Sequence, residues 1–233
     1  MKRFYKTVGF SSLIEDGGFV VYLDGKPLKT PGKKVLVLPS AALAREISNE
    51  WEIQIENIHP EEMNITRLAC TIVDHIYIDR NIYEEEALQY AKTDTVCYRV
   101  SGPQELLLLQ KQTWNPLIRW MKSNYGIELI TTDEPLAIDQ HKSSLVSLRK
   151  ILSNLDEWSL GALLSTVRAS GSLIIGLALY EGFLDNEQAF EAAELETTWQ
   201  IQRWGEDTEL INRRNQLKVD FLNAKIFLDL IVS

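Results

Sequence analysis

Apolar positions recur along this chain with two different spacings. Near the N-terminus they come in short β-branched and aromatic runs, of which Phe19-Val20-Val21-Tyr22-Leu23 is the clearest. Gly17-Gly18 before it is a turn signal, and Asp24-Gly25 after it is a hairpin turn, because glycine accepts a positive φ without a Cβ clash. The returning segment Lys26–Pro31 carries two prolines, which suits an edge or an extended arm. Val35–Leu38 is a further short strand that Pro39 ends. These runs predict a small antiparallel β module.

From Ser40 the spacing becomes helical. Ser40 reads as an N-cap, with Leu43, Ile47 and Trp51 on one face of the first helix. Pro60 interrupts the pattern, and the apolar stripe Ile65, Leu68, Ala69, Ile72, Val73, Ile76 predicts a helix over Asn64–Tyr77. Glu84-Glu85-Glu86 is expected in the first turn of the next helix, as a solvated start that suits the helix dipole. Asp94–Val100 stays ambiguous between a strand and an extended link. A long helix runs from Pro103 through Lys122, with Pro116 expected to kink it or mark its restart. Further helices are expected over His141–Leu155, Trp158–Val167, a segment ending at Gly182, Asp185–Trp204 and Glu206–Ile231.

The most apolar stretch is Trp158–Tyr180. It is broken at Ser170-Gly171-Ser172, so it reads as two short helices meeting at a tight turn. Each half falls short of the roughly 20 apolar residues that a membrane-crossing helix needs. Its small residues, among them Gly161 and Gly176, allow neighbouring helices to approach closely. Arg168 is its one charge, and a guanidinium among apolar residues needs a partner. A structural ion pair with a carboxylate of another helix is expected, with Asp74 and Asp94 as candidates. The alternative is a ligand anchor.

The fold class is therefore α+β: a small antiparallel β-rich N-terminal domain with one helix, residues 1–60, followed by a larger all-helical domain, residues 61–233. The boundary is expected between Asn57 and Asn64.

The chain has 233 residues, and its net charge of −9 argues against nucleic acid, which needs a basic surface. Cys70 and Cys97 stand far apart without metal-like spacing, which fits inert packing in a reducing compartment. The N-terminus has no apolar signal core, so a cytoplasmic location is expected, or a targeting segment already lost. His59, His75 and His141 are scattered, and no two share a helix face as metal ligands would. No nucleophile elbow, phosphate loop or dinucleotide fingerprint is present. These residues make only a weak case for an enzyme and predict no metal and no cofactor.

Binding features are better represented. Glu196, Gln200 and Arg203 fall on one polar face at i, i+4 and i+7. Trp204-Gly205 ends that helix, and Glu206 opens the next. This group is the candidate partner-binding set, and a plain solvated face is its bland alternative.

Together, a series of motifs resembles a known family. They are Arg3-Phe4-Tyr5-Lys6, Leu23-Asp24-Gly25-Lys26-Pro27-Leu28-Lys29-Thr30-Pro31, Leu38-Pro39, Glu50-Trp51 and Thr66-Arg67-Leu68-Ala69. Then come Tyr90-Ala91-Lys92-Thr93-Asp94, Cys97-Tyr98-Arg99, Trp114-Asn115-Pro116-Leu117, Leu195-Glu196 and Gln200-Ile201-Gln202-Arg203-Trp204-Gly205. In that order they are similar to the ATP-twelve assembly chaperones of the F-type ATP synthase, found in mitochondria and α-proteobacteria. Cys70 and Asn115 depart from the pattern, where Asn and Asp are expected.

The resemblance implies a chaperone without ATPase activity that binds the free α subunit and prevents its aggregation until it pairs with the β subunit. It also implies a sensitive acidic position at Glu196. A monomer without membrane insertion is expected. One rival reading is a small-molecule or enzymatic protein with a cleft between the β module and the bundle, anchoring an anion through Arg67, Arg99 or Arg168. The other is a general holdase.

Overall fold

The hairpin turn at Asp24-Gly25 organises the sheet. Both residues hold positive φ, 48° and 75°, which matches the right-handed twist of the strands they join. Strand β2 (Phe19–Leu23) pairs antiparallel with β1 (Val8–Ser12) on one side. On its other side it pairs with β3 (Lys26–Pro27) and β4 (Val37–Leu38). The Asp24 carboxylate also accepts from the Lys6 and Thr7 amides at 2.9 Å each. These bonds, Thr7 first, hold its carboxyl below the usual range. The Leu23–Pro31 motif thus carries structural information. The computed structural model describes residues 1–13, 17–134, 136, 138–205 and 208–232.

The chain's ten α-helices among these residues are α1 (Ala41–Glu52), α2 (Asn64–Thr71), α3 (Arg80–Lys92), α4 (Gln104–Tyr125) and α5 (Lys142–Ser153), then α6 (Glu157–Ser170), α7 (Leu173–Tyr180), α8 (Asn186–Ala193), α9 (Leu195–Trp204) and α10 (Thr208–Ile231). The α+β class is as expected. Ser40 is the N-cap of α1, its hydroxyl accepting from the Leu43 amide at 3.0 Å. Helix α4 continues through Pro116 without a restart. Helix α3 begins at Arg80, earlier than expected, so the Glu84–Glu86 run is not its solvated start. Glu84 is buried, Glu85 pairs with Arg149 and Glu86 with Arg168.

The residues group into two compact units. The first comprises Met1–Arg80, Glu157–Ala162 and Ile226–Ser233, so the Asn57–Asn64 segment lies inside it. What ties that segment in is Glu50 of α1. Helix α2 has no side-chain cap of its own. The Glu50 carboxylate serves instead, accepting from the amides of Ile65 and Thr66 (2.8 and 2.7 Å) and the Thr66 hydroxyl (2.6 Å). A carboxylate at a helix N-terminus meets orphan amides and the positive end of the dipole. Burial still outweighs these bonds and pushes the Glu50 carboxyl up.

The expected helix over Asn64–Tyr77 widens into a π-turn at Ile72–Ile76. There Asp74 accepts from the Thr30 hydroxyl (2.6 Å) and the Gly32 amide (2.7 Å), pinning the extended arm after β3. Partial burial works to raise its carboxyl, but these bonds prevail and leave it low. Ser40 also donates to the Leu230 carbonyl, and the Trp158 ring stacks on Phe227 with centroids 6.2 Å apart.

Gly161 of α6 lies against Ile72, so that a Cβ there would sit 2.4 Å from Ile72 Cγ1. Ile72 is fully buried and has no room to yield. Gly161→Val should lower stability by roughly 2–3 kcal/mol through overpacking, read as a shift in the urea midpoint. An unchanged midpoint would show that this contact is slack.

The second unit comprises Asn81–Asp156 and Leu163–Lys225. Its centre is α7 and the part of α6 from Leu163 onward, joined by the turn at Gly171, where φ is 67°. Gly176 lets α7 close on Val167. Asp94, which leads the Thr95–Cys97 turn, is fully buried and holds α7 in place. It accepts from the Ser172 hydroxyl (2.6 Å) and the amides of Ile174 and Val96 (3.1 Å each). Arg168 therefore does not pair with Asp74 or Asp94. It emerges from the last turn of α6 to make a bidentate pair with Glu86, at 2.6 and 2.7 Å. With 45% of its side chain exposed, it never enters the apolar core.

Candidate functional site

The sequence predicts one helix over Asp185–Trp204, but two form. Asp185 and Gln188 make a reciprocal capping box at the start of α8, satisfying two orphan amides together. The break falls at Glu194, which is buried and faces Arg214 at 3.4 Å and Arg213 at 3.9 Å. Those arginines lie on α10, so no local signal announces the break. After it, α9 turns Leu195 and Trp199 inward and leaves the polar stripe outward.

Glu196 is half-buried, and its carboxylate accepts from Gln110 Nε2 at 2.7 Å. Gln110 is fully buried in α4 and accepts in turn from the Val100 amide at 2.9 Å. Glu196 is therefore half a structural residue, which the i, i+4, i+7 pattern could not reveal. Gln200 is exposed. Arg203 lies over the Trp199 ring, 4.8 Å from its centroid, with Glu105 at 3.4 Å. Trp204 is 73% exposed and meets Trp199 edge-on, centroids 5.6 Å apart. Glu206 lies outside the described residues.

Beside this stripe runs an open groove of about 500 Å³. Leu109 and Pro116 of α4 line it, with Phe183, Leu184, Leu195 and Trp199, and Glu191 and Gln202 form its polar margin. Sequence reading missed the groove, because its walls come from separate segments. An apolar floor with a polar rim, and the exposed Trp204 packed edge-on against the lining Trp199, is suited to holding another protein.

The three arginines expected as alternative anion anchors are divided between the two units. Arg67 is exposed on α2 in the first unit. Arg99 is half-buried in the second and already committed. It donates to the carbonyls of Val96 and Tyr98 and to Asn115 Oδ1 at 3.3 Å, and lies over the Trp114 ring. Arg168 is held by Glu86, and Asp94 caps α7 as described. Cys70 and Cys97 are free thiols. Burial pushes Cys70 up to about 11 and Cys97 up as well, so neither is a reactive thiolate near neutral pH. Among the described residues no cluster of His, Cys, Asp and Glu could hold a metal ion, and no helix is long and apolar enough to cross a membrane.

Residues 2–122 match the family described as ATP12 chaperone protein. The mitochondrial protein atp12 of Schizosaccharomyces pombe is 27% identical over 218 residues, covering 88% of this chain and 74% of that protein. Mitochondrial ATP12 of Saccharomyces cerevisiae is 24% identical over 261 residues, covering 92% and 80%. The crystal structure of Atp12 from Paracoccus denitrificans superposes with a TM-score of 0.93 at 33% identity, over 99% of this chain and 98% of that one. Proteins of this family are chaperones and not enzymes. The chain belongs to the ATP12 chaperone family, the ATP synthase assembly chaperones whose motifs it carries.

Proposed function

We propose that this chaperone binds the free α subunit of the F-type ATP synthase and shields it from aggregation until the β subunit takes over. The observation that carries the reading is the surface on α9, where the exposed Trp204 packs on Trp199, a wall of an apolar groove with a polar rim. A subunit surface destined for burial in an assembly is apolar at its centre and aggregation-prone while free. Trp204 would enter that centre as an aromatic anchor, the groove would take an adjoining side chain, and Glu196 with Arg203 would fix the orientation. Release follows when the β subunit competes for the same patch.

Mixing the protein with free α subunit, free β subunit and the assembled head, followed by size exclusion, tests this. A complex with free α subunit alone is expected. Trp204→Ala, an exposed position, should weaken it about tenfold or more and leave thermal unfolding unchanged. A complex with β subunit alone, or equal protection of unrelated proteins, would overturn the reading.

A further inference from the structure

We infer that the outer edge of strand β1 is a strand-addition site, which takes an extended segment of the client as a further strand of the sheet. The inference rests on the client reading above. Strand β1 is at the end of the strand order, and among the described residues no strand pairs with its outer side. The flanking ladder fixes which backbone groups face that way. Thr7 O accepts from the Asp24 amide and the Leu13 amide donates to Gly18 O. In the register Val8↔Leu23 to Ser12↔Phe19, the odd-numbered residues thus bond to β2. The N–H and C=O of Val8, Phe10 and Ser12 point outward.

Open edges of this kind are usually blunted by proline, inward charge or a bulge. The strand's residues, Val-Gly-Phe-Ser-Ser, include no proline and no charge. Instead the edge borders a groove of about 380 Å³ whose opposite wall is α1. Arg45, Asn49 and Glu52 of α1 line that wall at i, i+4 and i+7, all exposed. An edge beside a helix is the arrangement in which added strands gain affinity from backbone bonds and specificity from alternate side chains.

The wall selects the occupant by charge. Arg45 and Glu52 stand roughly 10 Å apart along the helix, a distance that about three residues of extended chain span. Helix α1 runs antiparallel to β1, since Tyr5 donates to the Trp51 carbonyl and Arg3 to that of Gln54. Arg45 therefore stands toward the Phe10 end and Glu52 toward Lys6. The occupant is an extended client segment with an acidic residue toward Arg45, a basic one toward Glu52 and a polar one between.

The test is amide hydrogen exchange on the chaperone alone and in its complex with purified free α subunit. Exchange at Val8, Phe10 and Ser12 should slow roughly tenfold or more in the complex, with little change at Gly9 and Ser11. Asn49→Trp, which fills the groove from an exposed helix position, should weaken the complex about tenfold with unchanged circular dichroism and melting. Arg45→Glu should weaken it similarly. A complex that forms at full affinity in both variants, without protection at those three amides, overturns the proposal and spares the client reading. Absence of any complex overturns both. Concentration-dependent protection in the chaperone alone, with a dimer on size exclusion, would assign the edge to a second copy and overturn the client segment.

Discussion

Glu196→Lys is expected to abolish detectable binding of the free α subunit. If Glu196 meets a client cation in a desolvated contact, as proposed, removing the carboxylate and placing a like charge there costs about 2–5 kcal/mol, or roughly thirtyfold at the least. The same substitution acts inside the protein. Gln110 Nε2 donates to Glu196 from a fully buried side chain. A lysine ammonium offers no acceptor, so the buried amide is left unsatisfied at a cost of about 1–3 kcal/mol. The reversed variant should thus keep its circular dichroism but melt earlier, and lost binding by itself would not separate the two effects.

Glu196→Gln separates them. Its side-chain oxygen still accepts from Gln110, while the negative charge is gone. It should keep the native melting temperature and lose most of the client affinity, as measured by titration calorimetry at low salt. If it binds as well as the native protein, the charge is not a contact. The effect of the reversal would then be structural, running through Gln110 to Val100.

The second large effect concerns Asp94. Burial, working against the hydrogen bonds to the carboxylate, that from Ser172 foremost, pushes its carboxyl up from 3.8 to about 6. The folded protein therefore holds a proton more tightly than the unfolded chain between these values. Stability from this group is fully present below about pH 4 and is lost as pH rises through 6. A rise of two units corresponds to about 3 kcal/mol, and most of it should disappear between pH 4 and 7.

Asp94→Asn cannot titrate, so the stability difference between the two proteins isolates this group. Native protein minus variant should fall by about 2–3 kcal/mol across that range in urea titrations. Glu50, raised in the same direction, and Asp74, held low, cancel from the difference because both proteins keep them. A flat difference would mean that Asp94 is ionised throughout. Asp94→Ala should be worse at every pH. It strands the Ser172 hydroxyl and two amides in the core, at about 3–5 kcal/mol in sum.

Much of the local architecture was legible in the sequence. Asp24-Gly25 turns where glycine and positive φ dictate, Ser40 caps α1, and Ser170-Gly171-Ser172 separates two buried helices. Each depends on residues within four positions of one another. The misreadings involve distant partners. Arg168 makes the expected ion pair with a carboxylate of another helix, yet the partner is neither Asp74 nor Asp94 but Glu86, 82 residues away, toward which the helix turns it outward. The Glu84–Glu86 run looked solvated and is instead spent on buried and paired positions. One helix was expected where Glu194, drawn in by two arginines of α10, makes two.

The same division holds for function. The ordered motifs along the chain were enough to determine the family, because membership is written in residue identity and needs no coordinates. Turn, cap and helix signals determined the α+β class for a similar reason: they are local, and local geometry is fixed by sterics and short hydrogen bonds. Only the tertiary structure decided that Glu196 is shared between Gln110 and the surface, that Trp204 lies exposed against Trp199 of the groove, and that among the described residues β1 keeps an open edge along α1. These depend on segments brought together across 86 residues in the case of Glu196 and Gln110. Which distant partner a charge or an edge finds is settled by packing, and local sequence periodicity does not encode it.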